Sequence, residues 1–512
     1  MNVFANILKI LIIMVVIAVA GMLLLLGALV LFPGFSIFGL HYIKGAGDPV
    51  GNYIELGATA ENSKLAEWES ASGILIKTVN WDISVAPVTK ATENYHLADT
   101  LTARWHHEYN GFVFGDVQEP SFSGGTFANV DGKSYLVYEV SEPSGGWLSK
   151  VNAKLEILYD AEILEGKDII IETETGKVQL GNSTSLENRV GFEIEDLTIN
   201  SAHGEVQIRD VAVNGDVVVS KKTGDLYSYI DLPNNVKIEI TDSFGTVDLE
   251  NVGTAGTSSS LVFEKMGNSN IKVDDVYGDL IFAGNGGLVR ANSVSGILSV
   301  NGGKCDFDIA NVKGDITFES TDGQLKVAEA KGAVNATITG SGGVNIAKSL
   351  DVVNVNTKNG SVMLGEACDD VIVKTDGGSI NVTGSTDVNT YDISSINGEA
   401  VLNNIYGTVK FNALSKGNAK VKVNYCKIVG ENIINTQTGV IEVYMPVATS
   451  QNINDLKFKL TWETVNDVDI VLQGGVSTAE KKGTNVSVNS ATDNANTLTL
   501  KSVSGKITAK SV

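Results

Sequence analysis

The sequence predicts an all-β chain: a repetitive β-solenoid of the single-stranded β-helix kind, preceded by one N-terminal transmembrane helix. Three observations predict it. An uncharged apolar run of 23 residues extends from Ile10 to Phe32. A twelve-residue pattern, with apolar residues alternating about a central glycine, recurs through most of the chain. Glycine is abundant, at 54 of 512 residues, while proline is scarce at 7, a balance that suits many strands joined by tight turns. An antiparallel β-sandwich is the alternative, because hairpins space their strands similarly.

Residues 1–9 read as a short cytoplasmic N-terminus and 10–32 as the transmembrane helix. At 1.5 Å per residue the apolar run is about 35 Å long, enough to span a bilayer with some tilt. Leu23 to Leu26 and Leu29 to Leu31 continue it past the length of a signal-peptide core, and no small-residue cleavage site follows, so an uncleaved anchor is expected. Lys9 lies on one side and Lys44 on the other, which barely orients the helix. The remaining chain is acidic and polar with no second span, which places the N-terminus inside and everything beyond Phe32 outside the cell membrane.

Residues 33–65 show little periodicity and read as a juxtamembrane stalk. Residues 66–165 form an irregular β-rich domain holding four of the five tryptophans, Trp68, Trp81, Trp105 and Trp147, offered as exposed partner anchors.

The repeats are expected over 166–450, with 451–512 as the solenoid end and its cap. Seven segments carry the full pattern, beginning at Ile169, Ile316, Val353, Val371, Tyr391, Asn432 and Leu498. Positions 3, 10 and 12 are always apolar, position 8 is always glycine, and position 5 is always Ser or Thr: Thr173, Ser320, Thr357, Thr375, Ser395, Thr436 and Ser502. Period two on either side of the glycine means two half-buried strands. The position-5 hydroxyl points inward and is expected to bond to the bend's backbone, and the glycine to supply a positive φ there. Turn glycines between Gly278 and Gly343 give about 19 residues per strand pair, the period of architectures in which each unit covers its neighbour.

The formal net charge of -22 excludes nucleic acid as a partner, since phosphate binding needs clustered Lys and Arg. Cys305, Cys368 and Cys426 stand far apart with no zinc spacing, and read as core thiols.

The N-terminal anchor, the irregular β region and units such as "IIIETETGKVQL", "ITFESTDGQLKV" and "LTLKSVSGKITA" resemble the bacterial adhesin family with β-strand repeats, a domain of unknown function. The resemblance implies a β-helical, membrane-attached surface module that contacts matrix, envelope or partner proteins. It brings no catalytic residues.

Chemical candidates are few. His106, His107 and Glu108 in "WHHEY" are the most metal-like group, but neighbours on a strand point to opposite faces. The pairs Asp274–Asp275 and Asp369–Asp370 could form the acidic centre of a polysaccharide-active enzyme, yet Asp beside a turn is ordinarily a solvated turn former. "GNGGLVRAN" and "GSGGVNIAK" lack the Lys-Ser/Thr of a phosphate loop. No catalytic, cofactor-binding or metal residue is therefore assigned, and no cofactor is expected. The expected role is binding at the cell surface, with the membrane as one partner and a protein or glycan as ligand. A structural scaffold that polymerises like the bactofilins is the alternative, a carbohydrate-active enzyme the more remote one. The pattern specifies no oligomeric state.

Overall fold

The computed structural model describes residues 2–512 except 33–35, 38, 47–49, 59, 62, 89–92, 94–98, 116–120, 142–147, 161, 182–191, 243–244, 257, 414–416, 448, 450, 453–456, 474–475 and 487–495. Helix α1 (Asn2–Leu31) contains a candidate membrane span, Lys9–Leu31, with mean hydropathy 3.1. The chain then divides into two compact units, Met1–Asn214 and Gly215–Val512. Both are built from the same coil, a strand, a corner, a second strand and a second corner, to which the first unit adds a short third ladder in which Phe192–Ile194 pairs in parallel with Val211–Val213.

The second unit displays the coil most regularly. On one face Leu280 pairs in parallel with Leu298, then Ile316, Val334, Val353, Val371 and Tyr391. On the other, Phe307 is followed by Leu325, Val344, Val362, Ile380 and Ala400. Parallel pairing between successive coils establishes the solenoid and excludes the antiparallel sandwich. Strands Ile316–Ser320, Val334–Ile338 and Val353–Thr357 alternate strictly between buried and exposed positions, as period two requires. Between the faces Phe263, Phe282, Phe307 and Phe318 interleave, with successive ring centroids 6.1, 5.3 and 6.0 Å apart.

All seven position-5 hydroxyls are buried, and they close the corner as expected. Ser320 Oγ donates to Gly303 O (2.6 Å) and accepts the Gly323 N–H (2.8 Å). Thr375, Ser395 and Ser502 accept the N–H of Gly378, Gly398 and Gly505 at 3.0, 3.0 and 2.7 Å. Thr357 and Thr436 donate instead to the carbonyls of Gly360 and Gly439, both at 2.9 Å.

The role of the glycine differs from expectation. None of the seven pattern glycines, Gly176, Gly323, Gly360, Gly378, Gly398, Gly439 and Gly505, has a positive φ. They are glycine because of the coil beneath. Gly342, Gly360, Gly378 and Gly398 stack in successive coils, and a Cβ on each of the last three would collide with the carbonyl oxygen of the one before. Gly278, Gly296, Gly314 and Gly332 form a matching stack at the opposite corner. There the Gly296 and Gly314 N–H groups donate to Gly278 O and Gly296 O at 2.8 and 3.0 Å.

The first unit departs most from the sequence reading. Residues 33–65, read as a stalk, supply strands Leu40–Ala46 and Val50–Glu55, both antiparallel to Thr100–Phe114. Buried Leu40, Ile54 and Leu56 hold them there, too widely spaced along the chain to show a period. A coil also lies well before residue 166. In "ILIKTVNWDISV", Ile74, Ile76, Ile83 and Val85 pair with Ile169, Ile171, Val178 and Leu180, and Trp81 occupies the position of the corner glycine. Trp68 and Trp81 are buried rather than exposed, Trp105 stacks on Phe122 with centroids 3.9 Å apart, and Trp147 lies outside the described residues. Trp68 belongs to α2 (Leu65–Ser70), whose terminal carbonyls of Trp68 and Ala71 accept from Lys167 Nζ at 2.9 and 2.7 Å. Among the cysteines only Cys305 is a core thiol; Cys368 and Cys426 are half-buried.

Each unit closes one end of its stack by the same device. In the first, the coil of Lys133–Val140 and Leu148–Tyr159 lies outermost, and strands Gly73–Lys77 and Asp82–Pro87, earlier in the chain, slot between it and Asp168–Thr173 with Val178–Leu180. Its outer edges are covered by antiparallel Phe122–Val130 and Thr100–Phe114. In the second unit, Lys459–Glu463 and Val468–Leu472 lie outermost, covered by antiparallel Lys482–Val486 and Val476–Thr478. The last repeat, Thr497–Ser502 and Ile507–Ser511, returns inside them against Glu431–Thr436 and Ile441–Met445.

Adjacent glycines provide a test of the corner. A Cβ at Gly378 meets the backbone of Gly360, whereas one at Gly377 approaches only the side-chain oxygen of Asn359, at 3.2 Å. Gly378→Ala is expected to destabilise by about 3 kcal/mol or more through backbone overpacking, and Gly377→Ala by less than about 1. Thermal or denaturant unfolding of the two variants checks this, and equal losses would refute the stacking explanation.

Candidate functional site

The residues singled out for chemistry are dispersed by the fold. His106, His107 and Glu108 lie on Thr100–Phe114, opposite Lys154, Ala153 and Asn152 of the antiparallel neighbour. Successive residues face opposite ways, and the register sets a cation across from His106. The side chain of His107 lies outside the described residues. No group of three His, Cys, Asp or Glu suited to a metal occurs among the described residues.

The Asp pairs are engaged in the scaffold. Asp274 pairs with Lys272 at 3.4 Å, and Asp275 accepts from Ser293 Oγ at 2.6 Å. Asp370 accepts the Thr390 N–H (2.6 Å) of the next coil, and Asp369 that of Asp370 (2.6 Å). Corner carboxylates repeat this clamp: Asp279, Asp306, Asp315 and Asp322 accept the N–H of Ile297, Gln324, Ala333 and Ser341 at 2.8 to 3.0 Å. Part of the acidic excess is thus built into coil-to-coil bonding. The glycine runs are corner segments of the same kind, with Gly287 at φ +123° and Gly342 stacked on Gly323.

What the fold assembles instead is a groove of about 450 Å³ on the outward side of the second unit. Where each coil leaves its second strand, the ladder skips one residue: Val273 and Asp275 pair with Ala291 and Ser293, Ala291 and Ser293 with Ile309 and Asn311, and those with Val327 and Glu329. The skipped positions, Asp274, Asn292, Ala310, Ala328 and Ala347, line the groove. The sequence signal for it is slight: Ala328 stands directly after position 12 of the unit that begins at Ile316.

The groove's rim is the aligned column Lys272, Arg290, Asp308, Lys326 and Asn345. Lys272 pairs with Asp248 at 3.2 Å as well as with Asp274, and Lys326 with Asp308 at 2.9 Å. Hydrogen bonding to Asp248 raises the Lys272 pKa. Arg290 is exposed and has no partner among the described residues.

No protein-family model matches the chain, and no curated protein matches it. Among solved structures it is similar to one described as a "putative cell adhesion protein" from Clostridium sporogenes, at 9% identity over 91% of this chain and 100% of that one, with a TM-score of 0.13.

One ion cluster beside the His pair has a calculable pH response. Burial raises the pKa of Glu156, but Lys154 Nζ (2.6 Å) and Arg104 Nε (2.7 Å) outweigh it and hold the carboxyl below its ordinary value of 4.5. With the folded pKa depressed, the stabilisation is present above the unfolded value and is lost as pH falls through the folded one. Amide-exchange protection of residues 100–114 and 148–159 should therefore weaken below about pH 4. In Glu156→Gln this protection should already be reduced at pH 7, and its acid response should be shallower; an unchanged acid response in the variant would refute the assignment.

Proposed function

We propose that this protein is a single-pass, membrane-tethered surface-binding or adhesion module that works without catalysis. In this reading α1 is an uncleaved anchor with its N-terminus inside, and the solenoid stands outside the cell membrane. The observation that carries the reading is the division of labour within each coil. The interior is filled by apolar side chains and corner hydroxyls, so the outward rows, repeated at the strand spacing of about 4.8 Å, are what remains for contact with a partner. Two such rows are Ser299, Thr317, Asn335 and Asn354 on one face and the groove rim on the other.

Antiparallel strands over the outermost coils weigh against the polymerising-scaffold alternative. End-to-end stacking needs free strand edges, and Lys482–Val486 and Val476–Thr478 take up those of Lys459–Glu463 and Val468–Leu472.

Protease treatment of intact cells carrying the chain tests the reading. Residues beyond 32 should be cleaved without lysis, while protection in intact cells and cleavage only in lysates would overturn it. The purified chain in detergent should scatter light as a discrete particle; filaments would instead support the scaffold.

A further inference from the structure

We infer that the groove along Asp274, Asn292, Ala310, Ala328 and Ala347 is a binding site for an extended anionic polysaccharide, whose carboxylate or sulfate is gripped by Arg290. The inference deepens the surface-binding reading and rests on it. Charge supplies the first reason. Lys272, Arg290 and Lys326 stand on the groove against Asp274 and Asp308, and both acids are already paired with a lysine. Lys272 is shared between Asp248 and Asp274 and Lys326 pairs with Asp308, so Arg290, exposed and aligned with the rim, is the one rim cation with no ion pair among the described residues. Its planar donors match a carboxylate or sulfate in bidentate geometry. The chain's net charge of -22 does not override this. At physiological ionic strength charges more than about 8 Å away are largely screened, so the groove's own groups decide, and among them the acids are engaged by lysine while Arg290 is not.

Shape and hydrogen bonding select the polymer. An extended peptide is normally held by adding a strand to an open sheet edge. The groove lies across the middle of a continuous parallel ladder, where each strand is already paired on both sides. It offers instead side-chain amides at Asn292 and Asn345 over a floor of alanine methyl groups. Those groups suit hydroxyls and the apolar faces of sugar rings. The alanine floor recurs over successive coils at Ala310, Ala328 and Ala347, which fits an extended chain laid along it.

The test uses the full chain in detergent micelles with polygalacturonate, dextran and poly-glutamate as probes, measured by calorimetry or biolayer interferometry. Polygalacturonate should bind, more weakly as salt rises, and dextran should not. Arg290→Gln should weaken binding at least tenfold. Ala328→Phe, which fills the groove at an exposed position, should do the same while unfolding at the wild-type temperature. Undiminished binding by either folded variant, no binding of polygalacturonate, or equal binding of poly-glutamate would overturn the inference. A chain that is cleaved on intact cells yet fails here loses the glycan groove alone, and the surface-binding reading survives.

Discussion

The structure depends on how closely one coil can lie on the next at its corner. A strand ladder fixes the coil spacing at about 4.8 Å, and the chain must reverse within that height. At Gly360, Gly378 and Gly398 the backbone passes so near the carbonyl of the coil below that a side chain has no room. The hydroxyl three residues earlier then satisfies a polar group of the bend that the core would otherwise leave unpaired, as Ser320 does for Gly323. These two positions need each other. The inward strands follow from them, because a corner of fixed length sets the phase in which apolar residues face the core.

Two of the coils that depart from the Ser/Thr-to-Gly rule do so at the glycine, and one of them exchanges volume between the two positions. Cys305 stands where glycine is usual, and position 5 of that coil is Gly302, whose Cβ would press on the Cys305 sulfur. The thiol fills the space of the missing hydroxyl, 3.9 Å from Ser320 Oγ, and burial pushes its pKa up. Trp81 also stands at the glycine position, but its coil keeps the buried position-5 hydroxyl, Thr78, which donates to Thr173 Oγ1 at 2.9 Å. Trp81 is fully buried, and its indole N–H donates to Ser141 O at 3.2 Å. Its coil abuts the closing coil of Lys133–Val140 and Leu148–Tyr159 instead of a glycine corner.

This explains what the sequence reveals and what it conceals. Period two and the Ser/Thr-to-Gly spacing recover the solenoid and its hydroxyl column, because both are local. The coil at Ile74–Val85 escapes a search keyed to glycine, since Trp81 replaces it. The insertion of earlier or later strands between end coils is invisible, because it depends on pairings far apart in the chain, such as Ile74 with Leu136 and Leu498 with Leu460. Position 7 looks variable as Thr175, Asp322, Asn397 or Thr438. Yet Asp322 and Asn397 accept the N–H of Ser341 and Asn418, and Thr438 donates to Gly417 O. At these three positions the residue type changes while a polar atom stays directed at a neighbouring coil.

The candidate site was hidden for a related reason. Its floor is defined by residues that pairing skips, and a skipped residue is recognisable only when two neighbouring coils are aligned. Alanine after position 12 reads as filler in one repeat. Stacked over Asn292, Ala310, Ala328 and Ala347 it becomes a trough. The acids that a composition-based reading would take as active groups prove to be clamps, as Asp279, Asp306 and Asp315 each hold the backbone of the following coil. Negative charge is thus spent on cohesion between coils, and distinctiveness passes to the cation left without a partner. In a repeat protein, where the same environment recurs at every step, a functional group is most readily found as a break in the pattern of pairing, and within the column Lys272, Arg290, Asp308 and Lys326 that break is Arg290.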